Sequence, residues 1–327
     1  MISALSLEQK MFRSPKKRLP EEKGFFMRLK SFYLYMAALI PMIIWGFSFV
    51  GMKIMYEVYQ PFSTVFLRLL ISSILLWIIA RMMRISETIQ AKDKILFILL
   101  TFFEPFCYFL GESYGVLYTP ATLASVIIAT IPVFTPLAAW IVLKERITFR
   151  AIAGILISFI GVIIMSVNKD LSFSAPLKGI ALLFFAVFSG IGYGIIVRKL
   201  AHSYSPITIV KMQNTFGALL FLPLVFLVES GAFITVVPST KIIITLVLLA
   251  VFASTITFIL FTMAVRGLGI SKANIFTNTI PVFTAIFAFI LVGESFSFQK
   301  VIGMVVVIGG LFLAQIKKPA PLPQTET

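Results

Sequence analysis

Continuously apolar runs of about twenty residues recur ten times along this chain. They lie at approximately 34–56, 61–82, 94–116, 121–143, 148–168, 177–199, 205–228, 241–265, 273–292 and 298–316. A helix of that length crosses the hydrocarbon core of a bilayer with its backbone hydrogen bonds satisfied internally. A membrane β-barrel would instead alternate with period two in segments of about ten residues. The runs here do not alternate, and short separators with turn and charge signals, such as Tyr59-Gln60-Pro61 and Asn168-Lys169-Asp170, divide them. The expected fold class is an all-α membrane protein with ten transmembrane helices. Composition points the same way: 59% of the residues are hydrophobic, 13% are charged and the mean hydropathy is +1.03, more apolar surface than a soluble 36.4 kDa globule can hide.

The same numbers exclude several classes. A lone Cys107 rules out a disulfide framework, and a lone His202 rules out a His-rich zinc site, so no metal and no cofactor is expected. The net charge of +15 is dispersed between apolar runs rather than gathered into a nucleic-acid-binding face. The partners expected are the lipid bilayer and a small-molecule substrate; oligomeric state is not legible.

Basic residues set the orientation. With the N-terminus inside, 21 Lys and Arg fall in inner segments and four in outer ones (Lys169, Lys178, Lys241, Lys300), while Lys53, Arg68 and Lys211 lie within spans. Residues 1–33 carry eight Lys or Arg and no apolar stretch long enough for a cleavable signal. They read as a basic cytosolic tail, and 317–327 as a second, short one. Both termini are therefore expected in the cytosol, with the chain in a bacterial cytoplasmic membrane.

The two halves repeat. Residues 131–135 and 280–284 both read Ile-Pro-Val-Phe-Thr, and the offset of 149 extends to 13 identities over positions 124–161, including Glu145/Glu294, Gly154/Gly303 and Gly161/Gly310. At an offset of 145, Lys53/Arg198, Tyr59/Tyr204 and Pro61/Pro206 also align. Each copy, 34–168 and 169–316, holds five spans. An odd number turns the second copy upside down, and inverted repeats of this kind are typical of secondary transporters, whose related halves expose one site to each side in turn.

These residues resemble the drug/metabolite transporter superfamily in its ten-helix form with two EamA-type domains. The resemblance rests on Trp45-Gly46-Phe47-Ser48-Phe49 in the first span, Arg68 in the span after Pro61, and the stretches Pro132 to Glu145 and Pro281 to Glu294. It covers about residues 34–316. It implies a bundle around a central cavity lined by spans 1, 3, 4, 6, 8 and 9, and substrates such as amino acids, other metabolites, nucleotide derivatives or drugs. A Gly-Glu pair ends span 9 (Gly293-Glu294), whereas span 4 has Lys144-Glu145, so Glu145 pairs locally or serves the site.

Charges inside a bilayer cost several kcal/mol unless paired or hydrated, so each is a functional candidate. Glu104 lies ten residues past Lys94, about 15 Å deep, and precedes Pro105, which removes a helical hydrogen bond. It is read as a substrate or proton site, against a neutral carboxyl hydrogen-bonded between helices. Arg68 sits about 10 Å below the outer surface, placed either to bind a substrate carboxylate or to pair with Glu112, the pairing preferred. Lys211, two residues before Gln213, the repeat counterpart of Arg68, is either an inner gate or a lysine snorkelling to headgroups; snorkelling is also the reading for Lys53. Trp45, Tyr108, Tyr193, Asn214, Asn274 and Asn278 are candidates for the pocket wall. Glu112, Lys211, Glu145 and Glu294 are candidates for gating or structural roles.

The function expected is secondary transport by alternating access, as an exporter of small metabolites such as amino acids or their analogues, with proton coupling through Glu104 if coupled. No nucleotide-binding motif is present to support direct ATP drive. A channel or membrane sensor is the alternative, and an intramembrane enzyme a more remote one. Glu104 and Glu112 stand eight residues apart, about 12 Å along a helix, and the only histidine is in a loop, so no paired catalytic set exists.

Overall fold

The computed structural model describes residues 20–135, 148–167, 174–235, 237–295 and 297–315. In chain order its main helices are α1 (Pro20–Met55), α2 (Pro61–Met82), α3 (Ala91–Tyr118), α4 (Ala121–Thr135), α5 (Phe149–Ser166), α6 (Leu177–Ser203), α7 (Pro206–Val228), α8 (Thr240–Leu268), α9 (Lys272–Val292) and α10 (Phe298–Gln315). No β-strand element occurs among the described residues. By length and composition, seven helices can cross a membrane: Ser31–Met55 within α1, and α2, α3, α6, α7, α8 and α9. Shorter apolar helices at Ala121–Thr135, Ile152–Ser166 and Phe298–Ala314 occupy the other three expected runs. The protein is an all-α membrane protein.

Helix boundaries follow local chemistry. Pro61 and Pro206 occupy first-turn positions, where a missing N–H costs nothing. The Ser205 hydroxyl accepts from Thr208 N at 3.2 Å and caps α7. Gly269 (φ 83°) and Gly293 (φ 67°) end α8 and α9 in backbone conformations that favour glycine. One boundary differs from expectation: α1 runs back to Pro20, into the stretch read as a tail. The second part of span 4, with Lys144, Glu145 and Arg146, and the separator around Lys169 lie outside the described residues.

The helices pack in pairs that join the two halves. α2 lies along α7, α3 along α6, α1 along α8, and α5 along α10, while α1 also meets α9 and α6 meets α4. Exchanging each helix for the one five places away maps this set of pairs onto itself. At the α5–α10 crossing the correspondence reaches single residues. A β-carbon added to Gly154 would lie 2.6 Å from the Gly310 carbonyl oxygen, and one on Gly161 would lie 2.8 Å from that of Gly303. Residues 149 apart thus exchange partners, and Ser158 donates to the carbonyl of Val307, its own counterpart, at 3.3 Å. Only glycine permits so close an approach.

Two helices are interrupted at corresponding depths. α3 takes a π-helical path over Phe102–Cys107, where Glu104 is non-helical (φ −147°, ψ 120°) and Pro105 cannot donate to the preceding turn. α8 does so over Leu249–Ile256 without any proline. There the freed Ser254 carbonyl accepts from Asn214 Nδ2 at 2.8 Å and Ser72 Oγ at 3.2 Å, and Thr255 donates back to Ala250 at 2.8 Å. The Pro105 ring fits against Gly217 of α7, where a β-carbon would overlap it. The first places Glu104 in the lining of a cavity, and the second presents the Ser254 hydroxyl to Arg68.

Candidate functional site

Between the interruptions lies a cavity with about 690 Å³ of empty space, the open solvent at its mouth included. α1 contributes Trp45, Ser48 and Phe49, α2 contributes Arg68, and α3 contributes Glu104, Tyr108, Phe109 and Glu112. The opposite wall is Tyr193 of α6, Phe258 and Phe261 of α8, and Asn274 and Thr277 at the start of α9. Every lining helix implied by the family resemblance takes part, and α2 joins them through Arg68. A few polar groups in an apolar, aromatic wall is the usual make-up of a small-molecule site.

Arg68 is 1% exposed. Its Nε donates to Ser254 Oγ at 2.8 Å, one terminal nitrogen approaches Met52 Sδ at 3.8 Å, and the guanidinium lies 4.8 Å above the Phe109 ring. The expected ion pair with Glu112 is absent: no nitrogen of Arg68 comes within 4 Å of that carboxylate among the described residues. Instead Glu112 accepts from Tyr108 Oη at 3.0 Å, one turn earlier on α3. The reason is direction. The interruption in α8 presents Ser254 to the guanidinium, and stacking on Phe109 fixes its plane. Arg68 and Glu112 therefore share the cavity without touching.

Glu104 is 6% exposed, and its carboxylate has no hydrogen-bond partner among the described residues. Nearby, the Tyr193 hydroxyl is buried with the Thr262 hydroxyl and the Gln213 amide as its polar neighbours. Aromatic rings close the same side. Trp45 meets Phe258 at 5.5 Å and Phe261 at 5.2 Å between centroids, and Phe258 meets Tyr193 at 6.3 Å.

The structure thus brings Arg68, Glu104, Trp45, Tyr108, Tyr193, Asn274 and Glu112 to one cavity. Other candidates lie apart. Asn278 is buried outside the lining, with neither amide atom bonded. Asn214 belongs to the Ser72–Ser254 network instead. The Lys211 ammonium sits 4.2 Å above the ring of Trp77, which is exposed on the outside of the bundle. Lys53 donates to the carbonyl of Leu117, at the end of α3, at 3.3 Å. Glu294 accepts from Thr122 N at 3.5 Å, joining the end of α9 to the start of α4. Glu145 lies outside the described residues.

Sequence reasoning passed over Ser254, Thr262 and Glu229, and took Gln213 only as the repeat counterpart of Arg68. Glu229 caps α2, accepting from Phe62 N at 3.0 Å and from Ser63 N and Oγ at 2.7 Å. The start of α7 is met in the same way by Glu87, which accepts from Ser205 N at 2.9 Å. An acidic residue just past an apolar span, opposite a Pro-initiated helix, was the available signal.

A model described as the EamA-like transporter family matches twice, over residues 32–167 and 177–315. The uncharacterized transporter YetK of Bacillus subtilis (strain 168) is 28% identical over 98% of this chain and 97% of its own length. The uncharacterized transporter YcxC of the same organism is 27% identical, over 85% and 91%. An uncharacterized transporter of Archaeoglobus fulgidus is 26% identical, over 84% and 95%. Among solved proteins, one crystal structure superposes with a TM-score of 0.64 at 16% identity, covering 86% of this chain and 96% of that one, which shows a shared fold.

Proposed function

The chain belongs to the EamA-like transporter family, and on that premise we propose that it is a secondary transporter that exports small metabolites, such as amino acids or their analogues, by alternating access. The observation that carries this reading is the cavity itself: helices of both halves wall it, and it holds one guanidinium and two carboxyls at the level where α3 and α8 are interrupted. Broken helices around a midplane site are how transporters place polar backbone and side chains inside a membrane.

Two five-helix units, 34–168 and 169–316, lie inverted in the bacterial cytoplasmic membrane with both termini cytosolic. Support comes from the reciprocal glycine contacts. If position i of one half meets the counterpart of j, and j meets the counterpart of i, across antiparallel helices, the relating two-fold axis is perpendicular to those helices. For membrane-spanning helices such an axis lies in the membrane plane, and rocking about it exposes one site to each side alternately. Where transport is coupled to protons, Glu104 is the group so placed, since it faces the cavity without a fixed partner.

Purified protein in proteoliposomes, offered a labelled panel of amino acids and related metabolites with and without an imposed pH gradient, tests the reading. Saturable accumulation is expected, with Glu104→Gln abolishing it at unchanged membrane expression. Steady non-saturating current would mark a channel, and full activity of Glu104→Gln would remove Glu104 from the mechanism.

A further inference from the structure

The end of the cavity at Glu104 is built differently from the end at Arg68. Arg68 is engaged on three sides, by Ser254, Met52 and Phe109. Glu112 is engaged by Tyr108. Glu104 alone among the three ionisable side chains lacks a hydrogen bond among the described residues, and the Tyr193 hydroxyl shares the lining with it. The charge tally agrees. One guanidinium and two carboxyls line the cavity, an excess of one acidic group. The corresponding interrupted segment of α8, Leu249–Ile256, supplies no carboxyl, so the feature belongs to one half only.

We infer that Glu104, with the Tyr193 hydroxyl and the rings of Trp45, Phe258 and Phe261, forms a subsite for the ammonium group of an amphipathic amine, so that a positively charged nitrogen is what admits a substrate to this cavity. The chemistry is specific. A carboxylate and neutral oxygen acceptors take the N–H donors of an ammonium group, and the electron-rich faces of a Trp and two Phe rings attract its charge where water is excluded. The ring cluster also offers apolar area for the rest of the molecule. Arg68 lines the same cavity, 1% exposed and held by Ser254, Met52 and Phe109. The inference gives the substrate class of the site in the transporter reading and rests on that reading for its physiological meaning.

Binding to the purified full-length protein in detergent, followed by intrinsic tryptophan fluorescence and by calorimetry, tests it with four probes that share a phenyl group. They are phenethylamine (cation), phenylalanine (zwitterion), N-acetylphenethylamine (neutral) and 3-phenylpropionate (anion). Phenethylamine and phenylalanine are expected to bind at least tenfold more tightly than the other two. Glu104→Gln is expected to weaken amine binding at least tenfold while leaving the weak binding of the neutral probe unchanged, which also reports on its folding. Tyr193→Phe, which keeps the ring, is expected to weaken amine binding severalfold, and it serves as the second variant if Glu104→Gln is not recovered. Equal binding of amine and anion, binding of phenylalanine but not phenethylamine, or no binding of any probe would each overturn the inference. The same probes in proteoliposomes separate the two ideas. Amine binding without transport of any probe sinks the transporter reading alone, and transport that ignores the amino group sinks the ammonium subsite alone.

Discussion

Arg68 is the bulkiest of the side chains buried to below 2% exposure, and a guanidinium stays charged whatever surrounds it. The fold answers that charge with an oxygen, a sulfur and a ring face rather than with a direct carboxylate partner. Removing the oxygen by Ser254→Ala leaves Nε without an acceptor, and the expected cost is about 1–3 kcal/mol, read as a lowered unfolding midpoint in detergent. Arg68→Lys is expected to cost transport at least tenfold, because an ammonium cannot reproduce the planar donor fork or the stacking on Phe109. Charged and aromatic residues of the site were legible in the sequence because a charge in a span is expensive and so announces itself. Ser254 and Thr262 were not, since hydroxyls in membrane helices commonly bond within their own helix, as Thr101, Ser113 and Thr119 do here. The Arg68–Glu112 pairing failed for a related reason: depth can be counted along a helix, but the direction a side chain faces depends on neighbouring helices.

At the scale of helices, the seven that can cross a membrane were legible almost to their ends, because the length of an apolar run and the proline or glycine that limits it are both local. The interruption of α3 was signalled by Pro105. The one in α8 was invisible, since no residue of Leu249–Ile256 forbids a regular helix; Asn214, Ser72 and Thr255 stabilise it through the freed carbonyls. Packing makes the α3 interruption testable. Gly217→Ala sets a methyl group into the Pro105 ring, so it is expected to cost about 1–3 kcal/mol and to lower substrate binding by displacing Glu104. The α5–α10 crossing supplies its own control. Gly310→Leu must separate two helices whose backbones touch, whereas a β-carbon on the adjacent Gly309 meets nothing within 4 Å. A large fall in thermal stability is expected for the first, and none for the second.

The inverted arrangement belongs to the whole molecule, and it rests on two independent lines. One is the excess of basic residues in alternate loops, from which the segment after Glu145 is expected inside and the segment after Glu294 outside. The other is the exchange of partners between Gly154 and Gly303 and between Gly161 and Gly310, which needs no assumption about the membrane. Copies oriented alike would satisfy neither, because α5 and α10 would then run parallel and equivalent loops would carry their charges on the same side. Arg150 and Ser295 are both exposed and follow the two glutamates closely. In a chain whose single cysteine has been changed by Cys107→Ser, the variants Arg150→Cys and Ser295→Cys allow labelling with a membrane-impermeant maleimide from either side. Ser295→Cys is expected to react from outside in intact cells, and Arg150→Cys only after the membrane is opened. Labelling of both from one face would mean that the halves run in parallel, and a single cavity opened to each side in turn by their rocking would then have no structural basis.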